Sequence, residues 1–80
     1  MPTDWEVRAL RLANEVAKEW SHRYSKADVR LEPAHTDTLT IYFDKIGGGQ
    51  VMIELIHASR TDNEIKTEIR RLLNEADPRN

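Results

Sequence analysis

The stretch that decides the fold is TLTIYFDKIGGGQVMIELI, residues 38–56. On each side of the glycines, aliphatic or aromatic side chains recur at every second position, which is the period of a half-buried β-strand. The glycines supply the positive φ angles and the slack that a hairpin loop needs. We therefore predict two antiparallel strands whose inner faces carry Leu39, Ile41 and Phe43 on the first and Val51, Ile53 and Leu55 on the second.

A third strand precedes this hairpin, since Val29 and Leu31 alternate with charged residues. A polar turn at residues 33–37 connects it to the hairpin, and such short connections favour an antiparallel meander. When Phe43 lies opposite Val51, every inward residue of the three strands meets an apolar partner. A slip of one residue would turn the whole inward set outward, so the alternation also predicts the register.

A helix is predicted before the strands, over residues 4–24. From Trp5 to Tyr24, apolar residues recur at steps of three and four and fill one stripe of a helical surface. The segment Thr3–Glu6 has the pattern of a capping box, which opens a helix by satisfying its free amides. Val7 falls outside the stripe, so we expect it to face solvent or a partner.

A second helix is predicted after the strands, over residues 62–76. The capping box Thr61–Glu64 opens it, and Asp77-Pro78 ends it because the residue before a proline resists the helical conformation. Each helix has one apolar stripe and the sheet has one strongly apolar face, so both helices are expected on that face. The predicted fold class is α+β in two layers, with the order α-β-β-β-α. It consists of a three-stranded antiparallel meander and two helices packed on one face, in a single domain over residues 1–80.

Length and composition set further limits. The chain has 80 residues, of which 39% are hydrophobic and 32% charged, with a formal net charge of −2. That is enough apolar material for one small core. The absence of cysteine excludes disulfides, thiolate metal ligands and a thiol nucleophile. No apolar run is long enough to span a membrane, and the polar start Met1–Asp4 is unlike a secretion signal, so we expect a cytoplasmic protein.

The outer face of the predicted sheet is the candidate functional surface. The register forms three rows across it, namely Arg30, Thr40 and Glu54, then Asp28, Tyr42 and Met52, then Glu32, Thr38 and Ile56. Tyr42, Met52 and Ile56 are larger and more apolar than a solvated face requires, which predicts a contact patch for another protein chain or a second subunit. The predicted partner-binding residues are Arg30, Thr40, Tyr42, Met52, Glu54 and Ile56. An ordinary surface is the alternative, since single exposed apolar residues are common.

The charge of the strand region does not favour nucleic acid as the partner. Residues 27–58 carry two basic residues against five acidic ones. Binding to phosphate requires concentrated positive charge, so this region would repel a nucleic-acid backbone.

The order α-β-β-β-α resembles that of the double-stranded-RNA-binding domain and of small toxin ribonucleases of the HicA type, in element order only. The RNA-binding family has lysines where this chain has Thr61–Glu64, and the toxin family has a Gly-Ser-His-like motif where this chain has Pro33-Ala34-His35. The resemblance implies one alternative class of function, an RNA-directed protein, which is either an RNA binder or a small ribonuclease using His35.

No catalytic or metal-binding constellation is evident in the sequence. His22, His35 and His57 lack the helical spacing of a metal-binding pair. The glycine-rich segment Gly47–Gln50 is followed by a strand, whereas a phosphate-binding loop is followed by a Lys-Ser/Thr pair and a helix. We therefore predict no catalytic residues, no metal and no cofactor.

The leading hypothesis is a small non-enzymatic protein-binding module, such as a regulator, an immunity protein or a phage-type inhibitor. Such a module would act by occupying a partner protein through its outer sheet face. A homodimer is a further alternative, formed by edge pairing of Val29–Glu32 or by the outer sheet face.

Overall fold

In the computed structural model the chain folds as a helix, three strands and a second helix. The structure describes residues 4–32, 35–56 and 60–78, with positions 31, 32 and 35–37 described by their backbone alone. The elements are α1 (Asp4–Glu19), β1 (Tyr24–Glu32), β2 (His35–Lys45), β3 (Gln50–Ile56) and α2 (Asp62–Ala76). The predicted α+β class and the order α-β-β-β-α are confirmed.

The sheet is an antiparallel meander in the order β1-β2-β3. The predicted register is confirmed through the hairpin, where Phe43 lies opposite Val51 and Ile41 lies opposite Ile53. It is also confirmed between β1 and β2, where Val29 lies opposite Ile41. Along β3 buried and exposed residues alternate strictly, so the period-two pattern of the sequence corresponds to the two faces of the sheet.

The junction between β1 and β2 differs from the prediction. Pairing shifts between Leu31 and Glu32, so that Glu32 lies opposite His35 and not opposite Thr38. β2 begins at His35, inside the segment predicted as a turn over 33–37. A ladder is built from backbone hydrogen bonds, so it extends through polar residues that give no hydrophobic signal.

The end of α1 also differs from the prediction, because the helix stops at Glu19 and not at residue 24. The backbone N–H of Arg23 and that of Tyr24 both donate to the carbonyl of Trp20, at 2.8 and 3.0 Å, and close a turn there. Tyr24 then opens β1, and the pairing is irregular between Tyr24 and Lys26. That irregularity breaks the alternation of inward and outward residues at the start of β1. The sequence pattern therefore assigned Tyr24 to the apolar stripe of the helix. Thr3 of the predicted capping box lies outside the described residues.

Both helices lie on the inner face of the sheet, as predicted. α1 packs on β1 and β2, α2 packs on β3, and the two helices contact each other. The largest fully buried side chains are Tyr24, Phe43, Leu12, Leu39, Ile41, Leu55, Ile65, Ile69, Leu73 and Val16. The predicted core residues Trp5, Trp20, Val29 and Leu72 are only partly buried and pack against this core from its margin. The side chain of Leu31 lies outside the described set.

The boundaries of α2 match the prediction at both ends. The backbone N–H of Glu64 donates to Thr61 Oγ1 at 3.2 Å, and the backbone N–H of Thr61 donates to Glu64 Oε1 at 2.9 Å. These two bonds form the predicted capping box. At the other end the N–H of Asp77 donates to the carbonyl of Leu73, which closes the last turn.

Candidate functional site

The outer face of the sheet carries the predicted partner-binding residues. Arg30, Thr40 and Glu54 pair across the three strands in one row. Tyr42 lies opposite Met52 in the next row. Ile56 lies opposite Thr38 at the end of β3. The helices cover the other face, so all six predicted residues share the surface that α1 and α2 leave open.

The exposed apolar area of this face is concentrated on β3. Met52 is 62% exposed and Ile56 is 64% exposed, and these are the highest values among the large hydrophobic residues described. Both lie on an edge strand, where only β2 covers them from the side. Thr40 is only 7% exposed, because it occupies the central strand between the long side chains of Arg30 and Glu54. Thr40 therefore forms the floor of the face and offers little contact area.

Tyr42 is half-buried and lies beneath a cation. The guanidinium carbon of Arg30 lies 5.8 Å from the centroid of the Tyr42 ring, which is within cation–π range. Arg30 therefore restrains the ring, and Met52 is the residue opposite Tyr42 on β3. The face thus combines two exposed apolar side chains on β3, separated by Glu54, with an aromatic ring on β2 and a cation on β1, a mixture that protein interfaces also contain.

Four basic residues of the helices, Arg8, Arg11, Lys66 and Arg70, are paired with carboxylates of the opposite helix. Asp62 accepts from Arg8 Nε at 2.7 Å and from Arg11 at 3.0 Å, and these hydrogen bonds lower the pKa of Asp62. Glu19 accepts from Arg70 at 2.8 Å and pairs with Lys66. These contacts link α1 to α2 on the solvent side.

Among the ion pairs between α1 and α2, those of Glu19 change the pKa of a carboxylate most strongly. The hydrogen bonds from Arg70, followed by those from Lys66, lower the pKa of Glu19 from 4.5 to about 2. The carboxylate therefore stays ionised over the whole neutral and mildly acidic range. Its role is to hold the helices together, because its oxygens are occupied by α2.

A polar cluster around Asp77 was not predicted from the sequence, which identified Asp77 only as a helix stop. Its carboxylate accepts from the Tyr24 hydroxyl at 2.8 Å and from Arg23 at 3.1 Å, with Lys45 Nζ at 3.8 Å. The hydrogen bond from Tyr24, with the charges of Lys45 and Arg23, lowers the pKa of Asp77. The cluster joins the end of α2 to the start of β1 and the end of β2, so its role is structural.

The remaining predicted features have mixed outcomes. Gly47, Gly48 and Gly49 have φ angles of 91, 113 and 86°, so the glycines do supply the left-handed conformations of the hairpin loop. The side chain of His35 and the whole of His57 lie outside the described residues, and the ribonuclease role of His35 stays a prediction. Within the described ranges, no group of three His, Cys, Asp or Glu side chains is placed to hold a metal ion.

Comparison with known proteins adds no family to these observations. No protein-family model, no curated protein and no solved structure matches the chain. Over residues 4–32, 35–56 and 60–78, neither helix has the length and apolar character needed to cross a membrane.

Proposed function

We propose that the chain is a small non-enzymatic protein-binding module whose outer sheet face occupies a partner protein. The observation that carries the proposal is the exposure of Met52 and Ile56 on the open face, with the Tyr42 ring beside Met52. The partner is a protein surface that combines apolar contacts with both signs of charge, because Arg30 and Glu54 present opposite charges on the two edge strands beside Met52 and Ile56. As part of the proposal the module acts in the cytoplasm, since a chain without cysteine needs no oxidising compartment.

Burial of the exposed apolar residues Met52 and Ile56 by a partner would contribute favourable binding free energy. Full burial of a Met or Ile side chain is worth about 1.5–3 kcal/mol, and more than half of each side chain is still exposed here. Tyr42 belongs to the residue types that dominate binding energy when they are buried at the centre of an interface. Arg30 already restrains the Tyr42 ring, which reduces the conformational entropy lost on binding.

The test is affinity capture from the native cell with three forms of the chain. The wild type is compared with the double variant Tyr42→Lys, Ile56→Lys, and with the control Val7→Lys. Val7 is 54% exposed on α1, so the control adds a charge to an exposed apolar position away from the sheet. We expect the wild type and the control to retain the same partner and the double variant to lose it while keeping its circular dichroism spectrum. Retention by the folded double variant would contradict the proposal.

A further inference from the structure

The two edges of the sheet are not equivalent, and the β1 edge is closed by side chains. Asn14 of α1 donates through Nδ2 to the carbonyl of Ala27 at 3.1 Å, and the N–H of Ala27 donates to Asn14 Oδ1 at 3.0 Å. The N–H of Val29 donates to Asp28 Oδ1 at 2.9 Å. The N–H and C=O of Ala27 and the N–H of Val29, which would pair with an additional strand, are therefore already occupied.

The orientation of the β3 backbone follows from contacts at the end of β2. The N–H of Ile46 donates to the carbonyl of Arg23, just before β1, at 2.8 Å. The N–H of Lys45 donates in the opposite direction, to the carbonyl of Gly49 just before β3, at 3.0 Å. In an antiparallel sheet successive residues alternate between the two neighbours. Odd-numbered residues of β2 therefore pair with β3.

The outer edge of β3 consequently exposes an alternating set of backbone groups. Ile53 lies opposite Ile41 and bonds to β2, so the N–H and C=O of Met52 and Glu54 point away from the sheet. In the part of the chain that the structure describes, no donor or acceptor is recorded on these groups of Met52 and Glu54. Ile56 differs, since its carbonyl accepts from Arg60 at 2.8 Å. Among the described residues, the β3 edge is thus open from Met52 to Glu54.

The side chains around this edge are suited to an added strand on both faces. On the outer face Met52, Glu54 and Ile56 succeed one another at alternate positions and are all exposed. Beside β3 and α2 lies a groove that is lined by Leu55 and Leu72 and also by the charged side chains of Arg60, Glu68 and Arg71. Outward side chains of an added strand would contact the first set, and its inward side chains would enter the groove.

We propose that the β3 edge binds one extended segment of a partner protein, with Lys or Arg opposite Glu54 and an apolar residue two positions away on each side. The basic residue would pair with Glu54, and the apolar residues would cover Met52 and Ile56. A second copy of this chain fits less well. The two-fold antiparallel register that places Met52 against Ile56 also places Glu54 directly against Glu54, and like charges opposite each other are destabilising. This inference rests on the proposed function and specifies the partner for it.

The probe is a blocked synthetic peptide, Ser-Thr-Leu-Val-Lys-Val-Leu-Thr-Ser, added to the full chain. We expect shifted resonances and slowed hydrogen exchange at the amides of Met52 and Glu54, with no protection appearing at the β1 edge. A peptide with Glu in place of Lys should bind about fivefold more weakly, and the variant Glu54→Lys should reverse this preference. A peptide N-methylated at the lysine and both leucines cannot pair with the edge and should not bind.

Three results would overturn the inference. In the first, millimolar peptide causes no change at the amides of Met52 and Glu54. In the second, the N-methylated peptide binds as tightly as the unmethylated one. In the third, the chain associates with itself and protects the same amides without peptide. Failure here is distinguishable from failure of the proposed function. If the partner is lost with Tyr42→Lys, Ile56→Lys but the peptide leaves the edge unchanged, only the strand addition is wrong. If the peptide protects the edge but the double variant keeps its partner, the outer-face proposal is wrong.

Discussion

Removing the hydroxyl of Tyr24 tests the junction at which β1, β2 and the second helix meet. Tyr24 is buried, and its hydroxyl donates to Asp77 Oδ2 at 2.8 Å across the start of β1 and the end of α2. Its ring packs on Phe43 with the centroids 5.4 Å apart. The substitution Tyr24→Phe keeps that packing and removes the hydroxyl that donates to Asp77. It therefore tests the contact between Tyr24 and Asp77, which the predicted helix over residues 4–24 did not include.

The expected loss follows from the chemistry of this bond. A hydrogen bond to a charged group contributes about 1.5–3 kcal/mol to the free energy of unfolding. The Asp77 side chain is 22% exposed and keeps Arg23 as a partner, so we expect the lower end of that range, about 1.5 kcal/mol. For a domain of this size, such a loss lowers the melting temperature by about 6–12 °C.

The assay is urea unfolding followed by circular dichroism, with Tyr42→Phe as the matched control. Tyr42 lies half-exposed on the outer face, so loss of its hydroxyl should change stability by less than about 0.5 kcal/mol. The effect of Tyr24→Phe should also depend on pH. The folded-state pKa of Asp77 is lowered, so the stabilisation is complete above the unfolded pKa of about 4 and is lost as the pH falls through the folded value. Equal stability of Tyr24→Phe and wild type at pH 7 would refute the reasoning.

Three further predictions concern other contacts. Glu19→Gln should lower the free energy of unfolding at neutral pH by about 0.5–1 kcal/mol. The lowered pKa of Glu19 gives stability that is lost as the pH falls from 4.5 to about 2, so the variant should lose less stability than the wild type over that range. An unchanged acid-unfolding curve would contradict this. Asn14→Ala should cost about 1–3 kcal/mol in urea unfolding and speed hydrogen exchange at Ala27, because a buried N–H loses its acceptor; unchanged exchange there would show that Asn14 does not close the edge. No electrophoretic shift of RNA should occur with micromolar protein at low salt, where phosphate binding is strongest, and a clear shift would favour the RNA-directed alternative.

The sequence predicted best those features that are encoded locally. The hairpin register came from strict alternation on both sides of Gly47–Gly49, and both ends of α2 came from the capping box and from Asp77-Pro78. The end of α1 was missed because Tyr24 continues the apolar stripe of the helix, whereas the period-two pattern of β1 is broken beside it. Residues Ser25 and Lys26, both exposed, separate the buried Tyr24 from the buried Ala27 and conceal the strand.

The sequence predicted which residues lie on the outer face but not how exposed each of them is. The alternation of inward and outward residues placed Met52 and Ile56 on the outer face, yet it does not show that Thr40 is buried between longer neighbours. The sequence also did not show that the β1 edge is occupied and the β3 edge is open, since the hydrogen bond between Asn14 and Ala27 joins residues of different elements. Contacts of this kind depend on tertiary packing, for which a single sequence carries no periodic signal.

The most direct test of the outer-face proposal uses the absence of cysteine from the chain. Single variants Met52→Cys and Val7→Cys are treated with a thiol reagent, both free and in the complex captured from the native cell. Both positions are exposed, so both thiols should react rapidly in the free chain. In the complex the thiol at position 52 should react at least about tenfold more slowly, while the thiol at position 7 keeps its rate. Equal rates for position 52 in the free chain and in the complex would contradict the proposal that the outer sheet face holds the partner.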